Sequence, residues 1–267
     1  MKSETVLEEL AKRANPEMLE SIAAQTGGEL REDPTIAPSD APPATAGAPD
    51  SPIYDNISAA YRQLRIGMAL IAILMPIWLV VGGGLSTIQT SLSAYYHFDM
   101  GKMRDVFVGI LWAIGAFLFF YKGYTRRENA ALTVAGLAAV VVAMVPMACN
   151  PSICAPSTTL MPASGSVHGT AAIIFFLLVA YVCIFRSRDT LQLMTDAQLK
   201  ARFTWCYRVL GCAMVILPIA IFLLDRFRPS GQESFVTIAI ETAGIFVFAI
   251  FWLVKSREIR ILEQQLD

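Results

Sequence analysis

The chain has 267 residues, of which 55% are hydrophobic and 16% charged, with a net charge of −1 and a mean hydropathy of +0.53. A soluble domain carries about 25% charged residues, and six apolar runs at about 20 residues per span leave little chain for anything else, so a sizeable soluble catalytic domain is excluded. The near-neutral charge, with no basic stripe to neutralise phosphates, excludes a nucleic-acid partner, and five cysteines without C-x-x-C or zinc-finger spacing exclude a disulfide scaffold.

Residues 1–52 read as a cytoplasmic tail. Val6, Leu7 and Leu10, then Met18, Leu19 and Ile22, recur at helical spacing on either side of Pro16 and predict two short amphipathic helices suited to a partner. Prolines 34, 38, 42, 43, 49 and 52 then forbid regular structure and predict a disordered linker. The N-terminus lacks the apolar core and cleavage site of a signal peptide, so no removal is expected.

A polar lead-in at 54–65 precedes six apolar segments, at 66–85, 105–123, 130–148, 168–185, 204–224 and 235–254. The expected fold is therefore an all-α, polytopic membrane protein with six transmembrane helices over 53–255, followed by a helical extension, 256–267. Lys and Arg collect on cytoplasmic flanks: one set of flanks holds twelve between Arg62 and Arg260, while the other holds Lys102, Arg104, Arg226 and Arg228. Both termini are accordingly expected in the cytoplasm of a bacterial inner (plasma) membrane, with 86–104, 149–167 and 225–234 facing outward.

Gly82, Gly83 and Gly84 end the first span without the Lys-Ser/Thr of a phosphate loop, and read as a flexible helix end. Pro76, Pro146 and Pro218 predict ordinary kinks. Ala131, Ala135, Ala139 and Ala143 make one face of span three small enough for close helix approach, which predicts a central position. Cys149 and Cys154 could close a short disulfide in an oxidising compartment. In the C-terminal extension Ile259, Leu262 and Leu266 form a stripe for the tail or a second subunit.

The densest polar run near any span is Ser91-Leu92-Ser93-Ala94-Tyr95-Tyr96-His97-Phe98-Asp99, continuing through Lys102 to Arg104 and Asp105. Its tyrosines suit a membrane interface. By topology His168, Asp225 and Glu241 reach the same side. At 1.5 Å per residue Glu241 lies about 9 Å below the boundary, and a carboxylate at that depth must be protonated, paired or hydrated. Arg104, cationic and at the same leaflet, is its first expected partner, with His168 and the tyrosine hydroxyls as alternatives. The candidate ligand-binding set is Tyr95, Tyr96, His97, Arg104, Asp105, His168 and Glu241, with no catalytic residue, resident metal or cofactor assigned. Two histidines exclude a three-His zinc site within one chain.

The stretches Ser93–His97, Met103–Gly109 and Phe119–Tyr124, with Glu241 and Trp252–Lys255, resemble uncharacterised six-span bacterial membrane proteins, over about 60–255. This resemblance implies an integral membrane protein and no particular activity. A weaker similarity is to the membrane hydrolase superfamily of alkaline ceramidases and progestin/adiponectin-type receptors, whose zinc is held through Ser-x-x-x-His, an Asp and a later His-x-x-x-His. Ser93 and His97 match the first element and Asp105 could be the second, but no His-x-x-x-His follows.

The expected function is binding of a lipid or small amphiphile in an outward-facing polar cleft. The alternatives are a metal-dependent lipid hydrolase using His97, His168 and a carboxylate, and a proton-coupled transporter in which Glu241 titrates. Whether the chain is an enzyme stays open at this stage. The expected partners are the bilayer, such a ligand, and a second copy or a cytoplasmic protein at the terminal helices.

Overall fold

The computed structural model describes residues 52–147, 164–225, 227 and 235–266. The predicted tail helices, the linker up to residue 51 and the Cys149–Cys154 pair lie outside the described residues, whereas Pro52, expected to end the linker, opens the first helix, where its missing N–H costs nothing. The chain divides into two units near residue 61, and the candidate site lies wholly in the second, residues 62–265.

Among the described residues every regular element is helical. The helices are α1 (Pro52–Gly83), α2 (Arg104–Phe120), α3 (Arg126–Met144), α4 (Gly165–Tyr181), a short α5 (Arg188–Leu191), α6 (Ala197–Asp225) and α7 (Val236–Leu266). A π turn, Val182–Arg186, continues α4 toward α5. Two 3-10 turns, Ser93–Tyr96 and Phe98–Gly101, lie between α1 and α2.

Five segments are long and apolar enough to cross a membrane: α1, α3, α4 with its continuation to Leu191, α6 and α7. The helix α2, the sixth expected span, has 17 residues. Large apolar side chains cover the outside as well as the inside. On α1, Ala69, Ala72, Met75 and Leu79 are buried, while Leu70, Leu74, Ile77 and Val81 are exposed. A helix apolar all round suits a surrounding of hydrocarbon, and together these elements make the molecule a helical membrane protein.

Several boundaries differ from the sequence reading for local reasons. Helix α3 begins at Arg126 rather than 130 because Thr125 caps it, accepting from the Glu128 N–H at 3.3 Å. The Glu128 carboxylate reaches back to the Tyr124 N–H at 2.8 Å, a variant of the capping box. The polar lead-in to the first span is itself helical, and α7 runs unbroken to Leu266.

The alanine face of α3 is buried at Ala131, Ala135, Ala139 and Ala143, and α3 packs against both α2 and α4. At the α2–α3 crossing a Cβ on Gly136 would stand 2.5 Å from the Gly115 carbonyl oxygen. The two backbones touch there because neither residue has a side chain. The glycines ending α1 serve packing too. A Cβ on Gly83 would strike the Tyr95 ring, and Gly84, at φ +106°, caps the helix by donating its N–H to the Val80 carbonyl at 3.1 Å.

Candidate functional site

The segment after α1 folds into the helical body instead of lying on its surface. Ser91, Leu92, Ser93 and Tyr95 are all buried, and Tyr95 is completely so. Leaving it, Asp99 and Met100 adopt φ of 48° and 59°, followed by Gly101 at 84°. Two consecutive non-glycine residues in the left-handed region are uncommon; here they turn the chain into α2.

The segment is held to α7 at its first turn. The Ile238 N–H, one of the donors a helix start leaves free, bonds the Thr90 carbonyl at 2.9 Å. One turn further on, the Glu241 carboxyl group accepts from the Ser91 hydroxyl, 2.9 Å from both oxygens, and from the Leu92 N–H at 2.6 Å, and its Oε1 lies 3.1 Å from Ser93 Oγ. The Ser93 N–H in turn bonds Ser91 Oγ at 3.1 Å.

Ser93 also meets α4. His168 Nε2 lies 2.9 Å from Ser93 Oγ, and His168 Nδ1 lies 2.8 Å from the Val145 carbonyl. A carbonyl only accepts, so Nδ1 carries a proton and Nε2 is left for the serine. The hydrogen bonds then run Glu241–Ser93–His168–Val145, and two proton placements satisfy them. Either the carboxylate is ionised and the imidazole doubly protonated, or both are neutral, with Glu241 donating to Ser93 and Ser93 to Nε2. The placements hold the same number of protons, and a low-dielectric interior favours the neutral one.

A partly open cavity of about 60 Å³ adjoins this chain of groups. Met75, Leu92, Phe107, Leu111, Ile114, Ala139, Val142, Ala172, Phe175, Phe176, Ile245 and Phe248 line it, and among its described walls only Ser93 and Glu241 are polar. It is smaller than the ~150 Å³ apolar cavity that takes up a benzene ring, so without movement it admits part of an aliphatic chain.

The structure joins two of the seven residues expected in the site, His168 and Glu241, and does so through Ser93, with Ser91 as a further partner of Glu241; neither serine was in that set. Glu241 is bound by the serines and a backbone N–H rather than by Arg104. The Arg104 guanidinium stands 5.8 Å over the Tyr96 ring. Tyr96 packs edge-on against His97 and Phe107, and His97 Nε2 lies 3.1 Å from the Met147 carbonyl. The Tyr95 hydroxyl accepts from the Gln89 N–H at 3.3 Å, and Asp105 is exposed. These five residues surround the segment without a hydrogen bond to Glu241 among those described. Among the described residues no three His, Cys, Asp or Glu side chains converge as a metal-ligand set.

A second polar cluster lies at the far end of α7, where a cytoplasmic flank was expected. Lys255 and Glu258 are 2% and 0% exposed and form an ion pair at 3.0 Å. The lysine also donates to Thr190 Oγ1 at 2.7 Å, and the hydroxyls of Thr190 and Tyr207 both donate to the Glu258 carboxylate. The Lys-x-x-Glu spacing, which sets the two residues on neighbouring helix positions, was the available signal.

No protein-family model, curated protein or solved structure matches the chain.

Proposed function

We propose that the protein is a six-span component of a bacterial inner membrane that binds a single-chain amphiphile, with the first part of the tail in the apolar cavity and the polar end at Ser93 and Glu241. The observation that carries this reading is the cavity wall, apolar except for a hydroxyl and a carboxyl side by side. Such a division fits a molecule divided the same way. The modest volume favours one aliphatic chain over a fused-ring lipid.

In this reading α2 is the sixth span, at about 25 Å for 17 residues. The Glu241 end faces outward and the Lys255 end, where Arg65, Arg186 and Lys200 also lie on flanks, faces the cytoplasm. Transport of protons through Glu241 is less well supported, because the hydrogen-bond chain ends at the Val145 carbonyl, which has no proton to pass on. The metal-dependent alternative is also less well supported, since both His168 nitrogens already face oxygen partners.

The test is native mass spectrometry of protein released gently from membranes. A retained single-chain lipid, lost when Ala172→Leu fills the cavity, is expected. Protein that carries no amphiphile and binds none when offered a spin-labelled single-chain lipid would overturn the proposal.

A further inference from the structure

The geometry points to Ser93 as a nucleophile for acyl transfer, with His168 as its base and a long-chain carboxylic ester as substrate. This rests on the amphiphile reading and adds chemistry to it. Among the described residues Ser93 alone touches the cavity, the imidazole and the carboxyl group together. A serine is a weak nucleophile until a base takes its proton, and the recognisable arrangement is a hydroxyl within hydrogen-bond reach of an imidazole that a third group orients. Here the distance is 2.9 Å, and the orienting group is the Val145 carbonyl on Nδ1, which fixes the tautomer that leaves Nε2 free to accept. The proton chain is closed at that carbonyl, so a proton leaving Ser93 stays in the site for a reacting molecule to use.

The steps balance with water as the only co-reactant. Ser93 Oγ bonds to the carbonyl carbon of the ester while its proton passes to His168 Nε2. The ester C–O bond breaks, the leaving alkoxide takes the proton from Nε2, and an alcohol departs. Water then attacks the acyl-serine, giving a proton to Nε2; the Oγ–acyl bond breaks, Ser93 recovers that proton, and a carboxylic acid is released. Glu241 Oε1, 3.1 Å from Ser93 Oγ, carries a proton in the neutral placement and can donate it in a hydrogen bond to the oxyanion formed on the carbonyl, as a carboxylic acid kept neutral in an apolar site can.

The experiment uses the full chain in nanodiscs and a long-chain alkyl fluorophosphonate, which bonds to activated serine oxygens with loss of fluoride. Intact mass and peptide mapping are expected to give one adduct per chain, on Ser93. The adduct is expected to be absent from Ser93→Ala, formed about 100-fold more slowly in His168→Ala, and suppressed by excess long-chain ester. Binding of the spin-labelled single-chain lipid is measured alongside. Wild-type protein that binds the lipid but takes no label on Ser93, or a His168→Ala variant that binds it and reacts at the wild-type rate, overturns the nucleophile and leaves the binding proposal standing. Uptake of neither lipid nor label overturns both. Should His168→Ala lose the lipid as well, the wild type decides: a label on Ser93 competed by the ester supports the assignment, and a label elsewhere or uncompeted overturns it.

Discussion

Ser93 and Glu241, 148 positions apart in the chain, meet at 3.1 Å inside the helical body. The contact joins a segment without helical periodicity to the longest uninterrupted apolar helix of the second unit. Removing the carboxyl group by Glu241→Ala leaves the Ser91 hydroxyl and the Leu92 N–H without their acceptor and Ser93 Oγ without one of its two partners. An unsatisfied buried polar group costs about 1–3 kcal/mol, so the variant is expected to unfold at a lower temperature than wild type. A thermal scan in detergent with equal midpoints would show that water replaces the carboxylate without cost.

The α2–α3 crossing gives a paired prediction. A methyl group on Gly136 meets the Gly115 carbonyl at 2.5 Å, whereas one on Gly109 of the same α2 meets nothing within 4 Å. Gly136→Ala should therefore destabilise by about 1–3 kcal/mol. Gly109→Ala should be neutral or slightly stabilising, since alanine narrows the unfolded ensemble and favours the helix. Unfolding midpoints of the two variants, compared side by side, check both.

At the Lys255 end the ion pair is buried on both sides. Removing one partner leaves an uncompensated charge, worth about 3–5 kcal/mol, while replacing both by apolar residues of similar size is often neutral. Lys255→Met should lower stability sharply, and Lys255→Met combined with Glu258→Met should recover most of the loss. If the double variant is as damaged as the single one, Thr190 and Tyr207 need the carboxylate for more than charge balance.

The proposed orientation is checked with fusions at the C-terminus. Green fluorescent protein attached there should be fluorescent, and alkaline phosphatase should be inactive. The opposite pattern would place the Ser93 site toward the cytoplasm.

Much of this arrangement was legible in the chain. The apolar runs announced helices, and the four-residue alanine repeat announced the buried face of α3, because both signals are periodic. Glu241 stood out since a carboxylate in an apolar run is costly anywhere but in a site. Its partners did not stand out. Serine is common and cheap near a membrane surface, so Ser91 and Ser93 carried little signal by themselves, and charge complementarity favoured Arg104 without knowledge of how the helices are ordered. Lys255 was counted among the flanking cations that set topology, a statistic that is blind to whether a given lysine is buried. Thr125 and Glu128, three residues apart, are a capping signal for the start of α3 that a reading by apolar runs, begun at 130, passed over.

Helix α7 holds Glu241 near one end and Lys255 fourteen residues later, about 21 Å along the axis and within about 40° of the same face. It contains no proline, unlike α1 with Pro76 and α6 with Pro218. A continuous helix pinned at two levels cannot slide or spin at one without straining the other. Any ligand that displaces Glu241 from the serines therefore pulls on the Lys255–Glu258–Tyr207 knot at the opposite end, and α7 acts as a tie bar that makes the two polar clusters mechanically a single device.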